Sequence, residues 1–121
     1  MTKIQNPPQY DLEERTYEFA ENTRAFVKKL GKTIANIEDG KQVIRSSGSV
    51  GSNYIEAKEA LSKKDFRMRI KICRKEAKES RYWFRLIDTN NKKELEEQRS
   101  ILVKEATELI KIFSAIIQKS Q

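Results

Sequence analysis

Four segments of this chain read cap-x-x-acid, and their spacing leaves room for little except helices. They are Asp11-Leu-Glu-Glu14, Asn36-Ile-Glu-Asp39, Ser62-Lys-Lys-Asp65 and Asn91-Lys-Lys-Glu94. In each, a short polar side chain can accept from the orphan N–H groups of a first helical turn. An acid three residues later sits where the helix dipole favours negative charge. One such match is weak. Four matches, spaced 25 to 29 residues apart and each followed by helical periodicity, predict four helices. No segment alternates with period two over a useful length. The expected fold is all-α, an antiparallel up-and-down four-helix bundle, because joins of a few residues force neighbouring helices antiparallel. Residues 10–121 form the bundle domain, and residues 1–9, with Pro7 and Pro8, form an extended N-terminal arm.

The periodicities assign the faces. Helix 1 is expected over about 12–30, with Leu12, Phe19 and Phe26 seven apart and Gly31 as its C-terminal cap. Helix 4 is expected over about 92–119, with Leu95, Leu102, Leu109 and Ile116 in register, flanked by Ala106 and Phe113. Helix 2 keeps the four-three rhythm through Val43, Ser47, Val50, Tyr54, Ala57 and Leu61, yet its middle reads Ser46-Ser-Gly-Ser-Val-Gly-Ser52. Each glycine costs a helix interior about 1 kcal/mol against Ala. Three readings follow: a break, a close approach by a neighbouring backbone, or a phosphate-cradling loop. The last lacks the preceding strand and the G-K-[ST] that such a loop needs.

Helix 3 carries two interlocked stripes. Phe66, Ile70, Cys73, Ala77, Ser80, Phe84 and Ile87 form a core seam. Arg67, Lys71, Arg74, Lys78, Arg81 and Arg85 repeat the same steps one residue later, a cationic ridge about 100° round the helix. Residues 62–91 hold ten Lys and Arg against four acids, whereas the other three quarters of the chain are nearly balanced, so the net charge of +7 is local. A structural helix would interleave acids, since like charges at i, i+4 weaken it by a few tenths of a kcal/mol per pair. The ridge therefore suggests a polyanionic partner, RNA or DNA. The competing reading pairs it with Glu94, Glu97, Glu105 and Glu108 of helix 4, or with a neighbouring subunit. Opposite the seam, Met68, Ile72, Tyr82, Trp83 and Leu86 make a second apolar face, interrupted by Lys75 and Glu79. A lone bundle needs one buried face per helix, so the second is expected at a subunit contact, or else as a lid on the bundle end.

Other function classes find less support. The chain has no histidine, which removes the usual general base and the commonest metal ligand. Neither a metal nor another cofactor is expected. Asn53 and Glu56, a turn apart, are the best polar candidates for chemistry, but they read more simply as a buried hydrogen-bonded pair locking helix 2 to Arg45 or a neighbour. No catalytic residue is assigned. The one cysteine, Cys73, lies in the seam and reads as a core residue in a reducing compartment. No run of 18 apolar residues is present and the first residues lack an apolar signal-peptide core, so no membrane role is expected. A protein–protein scaffold remains as the alternative to nucleic-acid binding.

Arg45-Ser-Ser-Gly-Ser-Val-Gly-Ser-Asn-Tyr-Ile-Glu-Ala57 resembles the helix-2 signature of the four-helix-bundle proteins encoded by 23S rRNA intervening sequences. Lys75-Glu-Ala-Lys-Glu-Ser-Arg-Tyr-Trp-Phe-Arg-Leu-Ile87 resembles the helix-3 signature, and Tyr10-Asp-Leu-Glu-Glu-Arg-Thr-Tyr-Glu-Phe19 fits the helix-1 start. The resemblance covers roughly residues 10–118. It implies a bacterial, cytoplasmic bundle assembling as a ring-like homopentamer. It also implies kinship with accessory proteins of retroelement reverse transcriptases, which bind nucleic acid through a basic surface. The family name reflects where some of the genes lie, and does not make the product a ribosomal component.

Overall fold

A computed structural model describes residues 12–121; the expected N-terminal arm and the Asp11 cap lie outside the described residues. Four helices follow one another: α1 Leu12–Lys28, α2 Ile34–Lys58, α3 Lys63–Leu86 and α4 Lys93–Lys119. They pack antiparallel in cyclic order. α2 and α3 make the most intimate pair, and the α1–α4 seam that closes the bundle is the sparsest. Among the described residues there is no strand, and no helix is long and apolar enough to cross a membrane.

The core is the set of seams foreseen from the periodicity. Phe19, Phe26, Val43, Val50, Ile70, Cys73, Phe84, Leu109 and Phe113 are all fully buried. Phe84 sits at the hub, edge-on to Phe19 at 6.0 Å and to Phe26 at 6.1 Å between centroids, the geometry favoured by the ring quadrupoles. At the far end of α4, Ile117 is buried where Ile116 was expected. A straight helix drifts about 20° per seven residues, so a strict heptad loses the seam after three repeats.

α2 is continuous through both glycines. Close approach explains two of the glycines on this helix. A Cβ on Gly51 would lie 2.9 Å from Thr16 Oγ1, and one on Gly40 would lie 3.1 Å from Val27 Cγ1, so α1 rests on the backbone of α2. The helix ends at Lys58, which leaves Leu61 98% exposed instead of in the seam.

The starts and stops differ from expectation in three places. Ser62 caps α3 as foreseen, accepting from the Asp65 N–H. α2 is capped by Thr33, whose hydroxyl accepts from the Asn36 N–H, so Asn36 lies inside the first turn. There it is buried. Asn36 Nδ2 donates to the Gly31 carbonyl (3.0 Å) and the Asp88 carbonyl (2.9 Å), and its Oδ1 accepts from the Asp88 N–H (3.0 Å). One amide thus ties the α1–α2 turn to the α3–α4 turn. Asn91 is not a cap either: Asn90 and Asn91 take φ of 58° and 57°, the left-handed region that asparagine tolerates, and Lys92 precedes α4 without a side-chain cap. Gly31 does not take the left-handed cap conformation; α1 closes with tighter bonds, Lys29 N–H to Phe26 O and Leu30 N–H to Val27 O.

Candidate nucleic-acid interface

The ridge lies on the α4 side of α3, and its six members fall in two rows. Arg67, Arg74 and Arg81 are seven apart and half-buried at the α3–α4 boundary. Lys71, Lys78 and Arg85 stand further out and are exposed. Two members of the inner row are propped by α4. Arg74 Nη1 donates to Ser114 Oγ at 3.3 Å, and Arg81 Nη1 donates to Thr107 Oγ1 at 3.2 Å. Thr107 Oγ1 in turn donates to the Val103 carbonyl, which fixes its rotamer. Antiparallel helices bring residues seven apart on one against residues seven apart on the other, so Ser114 and Thr107 meet Arg74 and Arg81 in reverse order. Each guanidinium has five N–H donors in a rigid fork. One contact to a neutral hydroxyl orients the fork and leaves its charge uncompensated. Among the described residues, Arg67 Nε is buried without a partner.

Among the described residues, none of the six ridge cations lies within 4 Å of a carboxylate. Three of the helix-4 acids expected to answer them are engaged elsewhere. Glu105 makes a bidentate pair with Arg15 of α1, at 2.7 and 2.9 Å, which raises the Arg15 pKa through that hydrogen bond. Glu94 reaches Lys29, and Glu108 turns to Lys111 on its own helix. Arg15–Glu105 is the polar clasp of the open α1–α4 seam.

On the other flank of α3 the charges are paired. Arg45 of α2 meets the buried Glu76 (3.5 Å) and Glu79 (3.2 Å), and Asn53 Oδ1 accepts from Arg69 Nη1 (3.3 Å). Arg45 and Asn53 thus each reach α3 from α2. Glu56 takes no part in these contacts. It is exposed, and Asn53 Nδ2 donates to the Ser49 carbonyl instead. Glu76 holds the buried position that the sequence suggested for Glu56. Along the same seam, the hydroxyls of Ser46 and Ser80 meet at 2.8 Å in the core, where small side chains bring the helices together.

On the outer face of α3, Met68, Tyr82 and Leu86 are half or more exposed, while Ile72 and Trp83 lean inward and are half-buried. Trp83 packs partly on the core and takes Tyr82 edge-on at 5.0 Å. The face is thus on the surface of a single chain, about 60 to 100° from the ridge.

A model of the 23S rRNA-intervening sequence proteins matches residues 9–115. The chain belongs to that family. A solved structure agrees: a protein of unknown function from the S23 ribosomal protein family of Bacteroides thetaiotaomicron VPI-5482 superposes with a TM-score of 0.73 at 29% identity, over 87% of this chain and 96% of that one. No curated protein matches the chain. The matched span contains all four helices up to Ala115, so the ridge, its hydroxyl props and the outer face of α3 all lie within it.

Proposed function

We propose that this protein is a non-enzymatic, self-associating helical adaptor that binds the phosphate backbone of RNA or DNA along the α3 ridge. One observation carries the reading: six cations in a row, none matched by a carboxylate among the described residues, with Arg74 and Arg81 of the inner row held in place by α4 hydroxyls. Uncompensated like charge costs the fold a few tenths of a kcal/mol per pair, so it asks for an external anion. The row runs about 27 Å, enough to follow several phosphates, and four of the six are arginines able to grip them bidentately. No base-reading motif accompanies it, so the binding is to backbone and tolerant of sequence. Self-association is supported by the exposed apolar face of α3, and five copies is the number that the family resemblance implies. Several ridges in one assembly would bind by avidity.

The test is a salt titration. Affinity for generic RNA or DNA is expected to fall steeply with salt, each neutralised phosphate adding about 0.7 to 0.9 to the slope of log K against log salt. Replacing Arg74 and Arg81 by Ala should weaken binding and flatten the slope by about two units. Absence of binding at physiological salt would overturn the reading. It would favour a protein–protein scaffold, for which the exposed Met68, Tyr82 and Leu86 already offer a surface.

A further inference from the structure

Tyr82 stands at the margin of the ridge. It is 55% exposed. The ridge cations Lys78 and Arg85 lie four residues before it and three after, so they are its neighbours along the helix surface. Its ring is set edge-on to Trp83 at 5.0 Å, and Trp83 packs on the core, so the pair is supported from beneath. An open hollow of about 470 Å³ adjoins the pair, lined by Lys75, Lys78, Glu79, Tyr82 and Trp83 of α3 and by Gln42 of α2. Lys78 therefore belongs both to the hollow and to the ridge. Glu79, the acid in that lining, is engaged by Arg45 at 3.2 Å. This set complements a nucleotide: an aromatic ring for the base, a side-chain amide for its edge and cations for its phosphate.

We propose that the ridge binds an unpaired strand, with one base stacked on Tyr82 and the phosphates running along the cations. The inference rests on the backbone-binding reading above and adds the class of nucleic acid. The shape of the ridge supports it independently. α3 is one unbroken helix, so its six cations form a straight row about 27 Å long. A duplex strand winds round its axis once in about 34 Å and curves away from a straight row. Its bases are paired and stacked, and none is free to meet Tyr82. An unpaired strand can lie along the whole row and turn a base outward. Met68 and Leu86 lie about 40° further round α3 than Tyr82, and they remain for contact between copies.

The experiment compares three probes at low salt: a single-stranded oligonucleotide, its duplex, and inorganic polyphosphate, which carries charge without bases. Affinity and Trp83 fluorescence are read together, since Trp83 is the chain's single tryptophan and lines the same hollow. The single strand is expected to quench Trp83 and to bind about tenfold more tightly than the duplex, the order expected of one base stacked on one ring. Polyphosphate is expected to compete for the ridge without quenching. Tyr82→Leu, at an exposed position where leucine suits a helix, should lose the tenfold advantage and the quenching, with duplex affinity and helicity unchanged. Tyr82→Phe should keep both. Duplex binding as tight as single-strand binding, or an unchanged single-strand affinity in Tyr82→Leu, would overturn the proposal and leave the backbone reading standing. A loss in Tyr82→Leu shared by all three probes, with a lower sedimenting mass, would assign the ring to a contact between copies and overturn it likewise. Binding of none of the three by the parent chain would overturn the backbone reading itself, and this inference with it.

Discussion

Single residues decide how closely these helices approach, and Thr16 with Gly51 is the clearest case. The Thr16 hydroxyl donates to the Leu12 carbonyl and sits against the Gly51 backbone, so a methyl at 51 would arrive 2.9 Å from Oγ1 and 3.2 Å from Cβ. Overpacking of this kind costs about 1–3 kcal/mol, against about 1 kcal/mol of helix propensity gained by replacing glycine. Gly51→Ala is expected to destabilise by about 1 kcal/mol on balance. Chemical denaturation of Gly51→Ala, Thr16→Ala and the double variant checks it: removing Oγ1 should relieve the clash, so the double should lose less than the sum. Additive losses would count against the contact. Cys73 is a second residue-scale case. Burial pushes its thiol pKa up to about 12. A thiol held neutral in the fold ionises first in the unfolded chain. Its contribution to stability is therefore kept below the ordinary thiol range and lost as pH rises from there towards about 12. Cys73 is expected to resist thiol reagents at about pH 8 in native protein and to react at once in denaturant. Ready labelling of the native form would contradict its burial.

Elements were readable where their cause is local and unreadable where it is distant. Four helices, their core seams and the Ser62 cap follow from periodicity and first-turn chemistry within a few residues. Asn36 misleads because its sequence neighbourhood is that of a cap, while its partners are Gly31 and Asp88, the latter 52 residues away. The α3–α4 corner hides its logic in the same way. Arg99 donates to the Phe84 and Ile87 carbonyls at the end of α3 and pairs with Glu96, whose carboxyl pKa is lowered chiefly by the Thr89 hydroxyl. The ridge itself was legible as a stripe. Its support by Ser114 and Thr107 was not, because interhelical register depends on the turn between α3 and α4, where two left-handed asparagines replace the expected cap. Asn36→Ala tests this scale. It removes the side-chain partner of the Asp88 N–H and carbonyl and of the Gly31 carbonyl at a part-buried site, and each hydrogen bond of this kind contributes about 0.5–1.5 kcal/mol. The variant is expected to melt several degrees lower, with faster hydrogen exchange at the Asp88 amide. Normal protection there would mean that the two turns hold without it.

For the molecule as a whole, the question is whether its surplus charge is an unanswered strain. Along the ridge, five successive like-charged neighbours stand three or four residues apart, from Arg67 to Arg85, with no carboxylate within 4 Å among the described residues. At about 0.2–0.5 kcal/mol each, their repulsion amounts to about 1–2 kcal/mol at low ionic strength. Salt screens exposed charges within a Debye length of about 10 Å at 0.1 M, so added salt should relieve this strain. Raising sodium chloride towards ~0.5 M is therefore expected to stabilise the free protein by up to about 1–2 kcal/mol, less whatever its surface ion pairs lose on screening. Replacing Arg74 and Arg81 by Ala should leave the bundle folded and shrink the salt-induced gain, since those two changes remove four of the five repulsive neighbours. The opposite response decides the matter the other way. If the ridge cations find carboxylates in the assembled state, salt should lower the melting temperature and the double variant should be less stable than the parent. A polyanion such as heparin separates the cases again. It binds the native ridge and so should raise the melting temperature at low salt by mass action, and it should lose that effect in the double variant.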